Sequence, residues 1–211
     1  MNNLFSTFDP CTGMFSLNWL STIIFLMMIP NKFWKMNNTY SLLMKLLSEK
    51  MNKEINMNTE YKTINLMLFS LMMFILINNM MGLLPYMFTS SAQIVFSMTL
   101  SFPMWVSFMM FGWTKKTKTM LANLLPKNTP SMLMPFMIMI EFTSNLIRPS
   151  SLAIRLSANM IAGHILFSLM GNNNMYMMMI IMLIMMMFEL AVSFIQSYVF
   201  MTLMTLYSSE V

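Results

Sequence analysis

The chain has 211 residues, 57% of them hydrophobic and only 9% charged, with a mean hydropathy of +0.64 and a formal net charge of +5. A soluble globular domain carries charge on about a quarter of its residues, so this composition excludes one and defines an integral membrane protein. One cysteine, Cys11, excludes an internal disulfide, and one cysteine with one histidine falls short of the usual metal ligand set, so neither a metal nor a redox cofactor is expected.

Met1 to Gly13 is polar, with Asp9 and Pro10, and reads as a short exposed lead-in. It lacks the basic start of a secretory signal and the Arg-rich look of a transit peptide, so insertion without a cleaved leader is expected. Met14 to Ile29 is apolar apart from Asn18. With Trp19 and Trp34 as interfacial anchors it makes a first span over 14–36, ended by Pro30 and Lys32. From Tyr40 to Met51 the apolar residues Tyr40, Leu43, Met44, Leu47 and Met51 share one helical face, while Lys45, Glu49 and Lys53 fall on the other. That pattern predicts an amphipathic helix over 40–60 lying on the membrane surface.

Ile64 to Leu84, carrying Asn65, Asn78 and Asn79, is a second span closed by Gly82 and Pro85. After a turn at Thr89, Ser90 and Ser91, Ala92 to Trp113 forms a third, and the two make a transmembrane hairpin over 64–113. Pro103 removes one backbone donor inside that helix and is expected to kink it. Thr114 to Pro130 then reads as a polar connection with Lys115, Lys116, Lys118 and Lys127.

Two long apolar stretches complete the chain, Ser131 to Met170 and Met175 to Leu206, separated by the turn Gly171 to Asn174. A 40-residue helix is about 60 Å long, twice the hydrocarbon thickness. Either Arg148 and Pro149 mark a turn between two ordinary spans, or the helix lies steeply across the membrane. The expected fold is thus all-α, a single membrane domain whose last part, 131–207, is a long helix pair.

The first of these stretches holds the unusual chemistry. Glu141, Arg148 and Arg155 recur every seven positions, with Asn145 and Asn159 beside them, so all five share one face of a helix. Ionisable residues inside an apolar segment are costly and mark ion or proton paths. His164, the only histidine, is nine residues past Arg155, points roughly the opposite way and lies about 13 Å further along the axis. On the last stretch Glu189, Ser193 and Gln196 share a face. Arginine keeps its proton while Glu141, His164 and Glu189 can exchange theirs. A permanent cation between two sets of exchangeable groups is a barrier with an entrance and an exit.

Three motifs carry a resemblance: NNMMGLLPYMFTSS (Asn78 to Ser91), LAIRLSANMIAGH (Leu152 to His164) and FELAVSFIQSYVF (Phe188 to Phe200). In this order they resemble subunit a, or subunit 6, of the mitochondrial F-type ATP synthase, and the ends NLFSTFDP and LYSSEV resemble its insect form. The likeness covers nearly the whole chain. It implies two long, steeply tilted helices curved around a ring of c subunits, and a proton-translocating stator subunit that does not itself catalyse ATP formation. It makes Arg155 the essential arginine facing the ring carboxylate. His164 and Glu189 would line the half-channel from the intermembrane space, Glu141 and Asn159 the half-channel to the matrix, and Gln196 would approach Arg155 from the last helix. The implied partners are the c-ring, other membrane-sector and peripheral-stalk subunits, the lipid bilayer and protons, with no nucleic acid. The 35 methionines fit a mutational origin, an A+T-rich organelle genome that reads AUA as methionine.

Lysine placement gives an orientation. Lys32 to Lys62 holds six lysines and Lys115 to Lys127 four, and both sets fall on one side if the first span crosses once and the hairpin twice. By the positive-inside rule that side is the matrix of the mitochondrial inner membrane. The N-terminus then faces the intermembrane space and the C-terminus the matrix. His164 lies seven residues before the Gly171–Asn174 turn and Glu189 fifteen after it, so their meeting calls for an extra bent or surface segment between Met175 and Met187. A secondary transporter usually shows internal repeats, and none is visible here. A purely structural subunit would leave Arg155 unexplained.

Overall fold

A computed structural model describes the chain except for residues 1–7, 12, 14, 28–35, 37, 59–61, 85–86, 126–128, 171–174 and 211. The described residues form seven α-helices: α1 (Ser21–Met27), α2 (Thr39–Asn58), α3 (Lys62–Gly82), α4 (Ile94–Lys115), α5 (Thr117–Asn123), α6 (Met134–Met170) and α7 (Met175–Glu210). α3, α4, α6 and α7 are each long and apolar enough to cross a membrane. Helices are what such sequences must form, because hydrocarbon offers no partner for a backbone amide or carbonyl. Their serines and threonines add to this by donating to carbonyls one turn back, as Ser97 Oγ does to Ile94 O at 3.0 Å and Ser157 Oγ to Ile154 O at 3.1 Å.

Packing follows two pairings, α4 against α6 and α3 against α7, with a short 3-10 turn at Ser90–Ala92 joining the hairpin and pressed onto α6. On α6 the buried residues Leu152, Ala153, Leu156, Ser157, Met160 and Gly163 follow helical spacing and form one stripe. The matching stripe of α7 is Ser193, Gln196, Ser197, Phe200, Met201 and Met204. Where small residues line these stripes the backbones approach closely, the usual basis of helix association in a membrane. The apolar core joins Leu68, Met72 and Ile75 of α3, Met104 of α4, Leu152 and Leu156 of α6, and Phe200, Met201 and Met204 of α7.

Of the two alternatives for the stretch from Ser131 to Met170 the structure takes the continuous helix that the resemblance implies, and at four other places it departs from the sequence expectations. α6 is one helix running straight through Arg148 and Pro149, so the alternative of a turn there is excluded. Its 37 residues span about 55 Å, well beyond the hydrocarbon thickness, so α6 must incline steeply. α2 docks on α3 and α7 through the fully buried Ile55, while Tyr40 and Leu43 of the expected apolar face stay exposed. The polar connection after Trp113 is partly helical, since α4 continues to Lys115 and α5 follows. In the described part of the lead-in Asp9, Cys11 and Gly13 are exposed as expected, but Phe8 is partly buried and meets His164 edge-on. α7 is unbroken from Met175, so no extra segment separates Met175 from Met187. Of the first span, only a 3-10 turn at Leu17–Leu20 and α1 are described; Pro30, Lys32 and Trp34 lie outside the described residues, as do Lys127 and the Gly171–Asn174 turn.

Candidate functional site

The inward stripe of α6 decides where its polar residues go. Leu152, Leu156 and Met160 face the core, which turns Arg155 and Asn159 to the outer surface of the bundle together with the small residues Ser151, Ala158 and Ala162. Among the described residues the Arg155 guanidinium has neither an ion pair nor a hydrogen bond. Its backbone is held from the other helix: the buried Gln196 donates Nε2–H to the Arg155 carbonyl at 2.8 Å. α7 therefore grips the root of the arginine and leaves its charge free.

The same two helices meet again two turns further along. The Glu189 carboxylate lies directly over Gly163, in the volume that a Cβ at that position would fill. Glycine is needed there to admit the carboxyl group at this level of α6, one residue before His164. With Gln196 opposite Arg155 and Glu189 opposite Gly163, the helices hold one antiparallel register. Continued to the end of α6, that register leaves about seven residues of α7 overrunning Met170, some 10 Å of helix. The overrun brings Glu189 level with His164 and replaces the expected extra segment.

His164 faces away from Arg155, as the nine-residue spacing requires. The imidazole lies near the Gly82 backbone, and its Nε2 has no partner among the described residues. Phe8 and Phe167 meet the ring edge-on, at centroid distances of 6.1 and 6.4 Å. The histidine opens on a cavity of about 910 Å³, whose lining includes Asp9, Asn18, Phe88, Thr89 and Met182.

At the other end of α6 the half-buried Glu141 lies 4.0 Å from Arg148 (Oε1 to Nη2). Both line a second cavity of about 320 Å³ with Asn145, Trp105, Trp113 and Tyr207. Arg148 is thus an acid's neighbour on a continuous helix and not a residue at a bend. Glu141 and Asn159 are not brought together, since eighteen residues of helix separate them by about 27 Å. Asn159 sits one turn past Arg155 on the same outer face.

Sequence reasoning missed a buried polar set behind α6. Asn79, Thr89, Ser90, Ser91 and Ser101 are buried, with side-chain atoms that no protein group satisfies among the described residues. Their signal was present in the motif from Asn78 to Ser91, where the asparagines read only as interruptions of a span. Gly163 was missed because the need for a missing Cβ appears only once Glu189 faces it. Among the described residues no group of three metal-ligating side chains exists.

A multi-pass helical membrane protein with an arginine on its outer face that is unpaired among the described residues, a carboxyl and an imidazole at one level of the long helix and a second carboxyl toward the other end has the features of the class that moves protons through a membrane sector. The ATP synthase A chain family matches residues 13–209. ATP synthase subunit a of Aedes albopictus is 46% identical, that of Locusta migratoria 45% and that of Drosophila melanogaster 45%, each alignment covering all of this chain and 99% of the relative. The chain belongs to the ATP synthase subunit a family, the proton-translocating stator part of the membrane sector.

Proposed function

We propose that Arg155 is the fixed charge separating two offset proton half-channels, and that it faces a carboxylate carried by a ring of c subunits in the mitochondrial inner membrane. A proton enters through the larger cavity, passes His164 and Glu189, and neutralises a ring carboxylate. After rotation the carboxyl meets Arg155, whose charge favours the ionised form. The released proton leaves along the Asn159 side of Arg155 toward Glu141 and the smaller cavity. The same charge repels a proton attempting to pass straight from entrance to exit. The subunit forms no bond to ATP, and nucleotide chemistry belongs to other subunits of the complex.

One observation carries this reading: the guanidinium is exposed and unpaired among the described residues, on a face made flat by Ser151, Ala158 and Ala162. A flat face suits a moving partner, and an unpaired arginine in a membrane segment is costly unless a partner supplies the opposite charge. A cysteine replacing Ala158 is expected to form a disulfide with cysteines placed beside the ring carboxylate, and to stop turnover when it does. Failure to cross-link any ring subunit in the assembled complex would remove the ring-facing assignment.

The same reading places α2 and α5 on the matrix side, the N-terminus in the intermembrane space and the C-terminus in the matrix. It divides the chain into a first span (14–36), a surface helix (40–60), a hairpin (64–113) and the tilted pair (131–207), with peripheral-stalk and other membrane-sector subunits covering the remainder. Lys45, Lys50 and Lys53 of α2 and Lys115, Lys116 and Lys118 around α5 support the orientation. Cysteines at Lys50 and Lys118 should both react with an impermeant reagent only when the matrix face is open. Labelling from opposite sides would overturn the topology.

A further inference from the structure

The N-terminal lead-in is built into the entrance. Gln93, the residue preceding α4, donates Nε2–H to the Phe8 carbonyl at 2.7 Å, and the Phe8 ring meets His164 edge-on. Asp9 follows, and its own contacts fold the strap: the Cys11 amide donates to Asp9 Oδ1 at 3.0 Å, and Asn18 Nδ2 donates to the Asp9 carbonyl at 3.1 Å. Trp19 stacks edge-on against Phe88 at 5.7 Å and ties the next turn to the same rim. Asp9 is exposed to the outside and also lines the cavity that reaches His164. Among the lining residues Asp9 and His164 are the titratable pair; the other walls are mainly apolar, with Leu83, Met87 and Met182. Glu189 lies over Gly163, outside the lining of this cavity, and the exposed Cys11 lies on the strap.

We propose that Asp9 is the outer proton-collecting carboxylate of the His164 entrance, held at the mouth by the strap from Phe8 to Cys11. This rests on the entrance reading given above. A carboxylate at the mouth of a cavity with low-dielectric walls concentrates cations there, and such focusing raises capture rates by about 10- to 1000-fold. Asp9 takes a proton from solution and passes it through water to the Nε2 of His164, which has no partner among the described residues, and returns to its ionised form. The proton count is unchanged and no covalent bond other than O–H and N–H is made or broken.

The test uses whole ATP synthase in its own membrane, with ATP synthesis measured against the concentration of a small mobile buffer on the intermembrane side. Asp9→Asn keeps an Oδ1 acceptor for the Cys11 amide and removes only the charge. It is expected to lower synthesis by about threefold or more at low buffer, with recovery at high buffer, because a mobile buffer delivers protons in place of the lost collector. Asp9→Glu should stay near the parent, and Gln93→Leu, which frees the strap, should reproduce the buffer-dependent loss. Normal synthesis in Asp9→Asn, a loss confined to Asp9→Ala, or a loss that buffer does not relieve would each assign Asp9 to the turn alone and overturn the proposal. His164→Gln is the control for the underlying reading. If it leaves synthesis unchanged, the entrance itself lies elsewhere; if it impairs synthesis while Asp9→Asn does not, only the collector role fails.

Discussion

Arg155→Ala is expected to abolish proton-driven ATP synthesis while the complex still assembles. The side chain is exposed on the outer face, and the hydrogen bond that α7 makes is to its carbonyl, which alanine retains. What is lost is the charge. An opposite charge within about 4–6 Å lowers a carboxyl pKa by about 1–3 units, equivalent to about 1.4–4 kcal/mol in favour of release. Without it a ring carboxyl keeps its proton as it passes, and the barrier between the two cavities falls. Arg155→Lys should fail as well, because an ammonium is a compact, strongly hydrated charge that lacks the planar fork and deprotonates when desolvated. Synthesis near the parental rate in either variant, with the complex intact on a native gel, would remove Arg155 from the centre of the mechanism.

The second large effect is expected from the smallest change, Gly163→Ala. The new methyl group must occupy the space that the Glu189 carboxylate fills, and the carboxylate, as the tip of a flexible side chain, is what moves. Stability should change little, since alanine is favoured over glycine in a helix by about 1 kcal/mol and the displaced group can rotate. Proton entry should nevertheless drop about as far as in Glu189→Gln, because both variants remove the carboxylate from its place over Gly163. The deficit should deepen as the pH of the intermembrane side is raised, when protons become scarce at the entrance. Comparison of ATP synthesis in the two variants with the thermal stability of the assembled complex separates the site from the scaffold. A Gly163→Ala enzyme that synthesises normally while Glu189→Gln does not would mean that the position of the carboxylate over Gly163 is incidental.

These two residues also mark the limit of what the linear sequence reveals. Composition and spacing made the membrane class and the helical spans plain, because apolar length is written directly in the chain. Arg155 was legible for the same reason, as an ionised group in an apolar segment stands out. The continuity of α6 was not, since Arg148–Pro149 has the look of a break. In the fold Pro149 is buried in the α6 stripe, and the hydroxyls of Ser150 and Ser151 bond to Ile147 O and Arg148 O at 2.8 and 2.9 Å as the helix continues. The register of α6 on α7 was also hidden, because counting residues from a turn assumes that both helices start level. Here α7 overruns by about two turns, so Glu189 reaches Gly163 without any interruption of the helix. The contact of Phe8 with His164 had no signal at all, being a tertiary meeting of residues 156 positions apart.

The bond from Gln196 to the Arg155 carbonyl has a mechanical meaning. A stator beside a turning ring feels a tangential drag each time an oppositely charged group is pulled past it. If the whole residue yielded, part of each step would go into flexing α6. Gln196 fastens the base of the lever to α7, which is itself set against α3 through Phe200, Met201 and Met204. In the role proposed for Arg155, the tip would keep its rotational freedom and follow the passing charge, while the reaction force would run through the clamped base into two helices at once. Stiffness and compliance are thereby divided within a single amino acid, at the border between its backbone and its side chain.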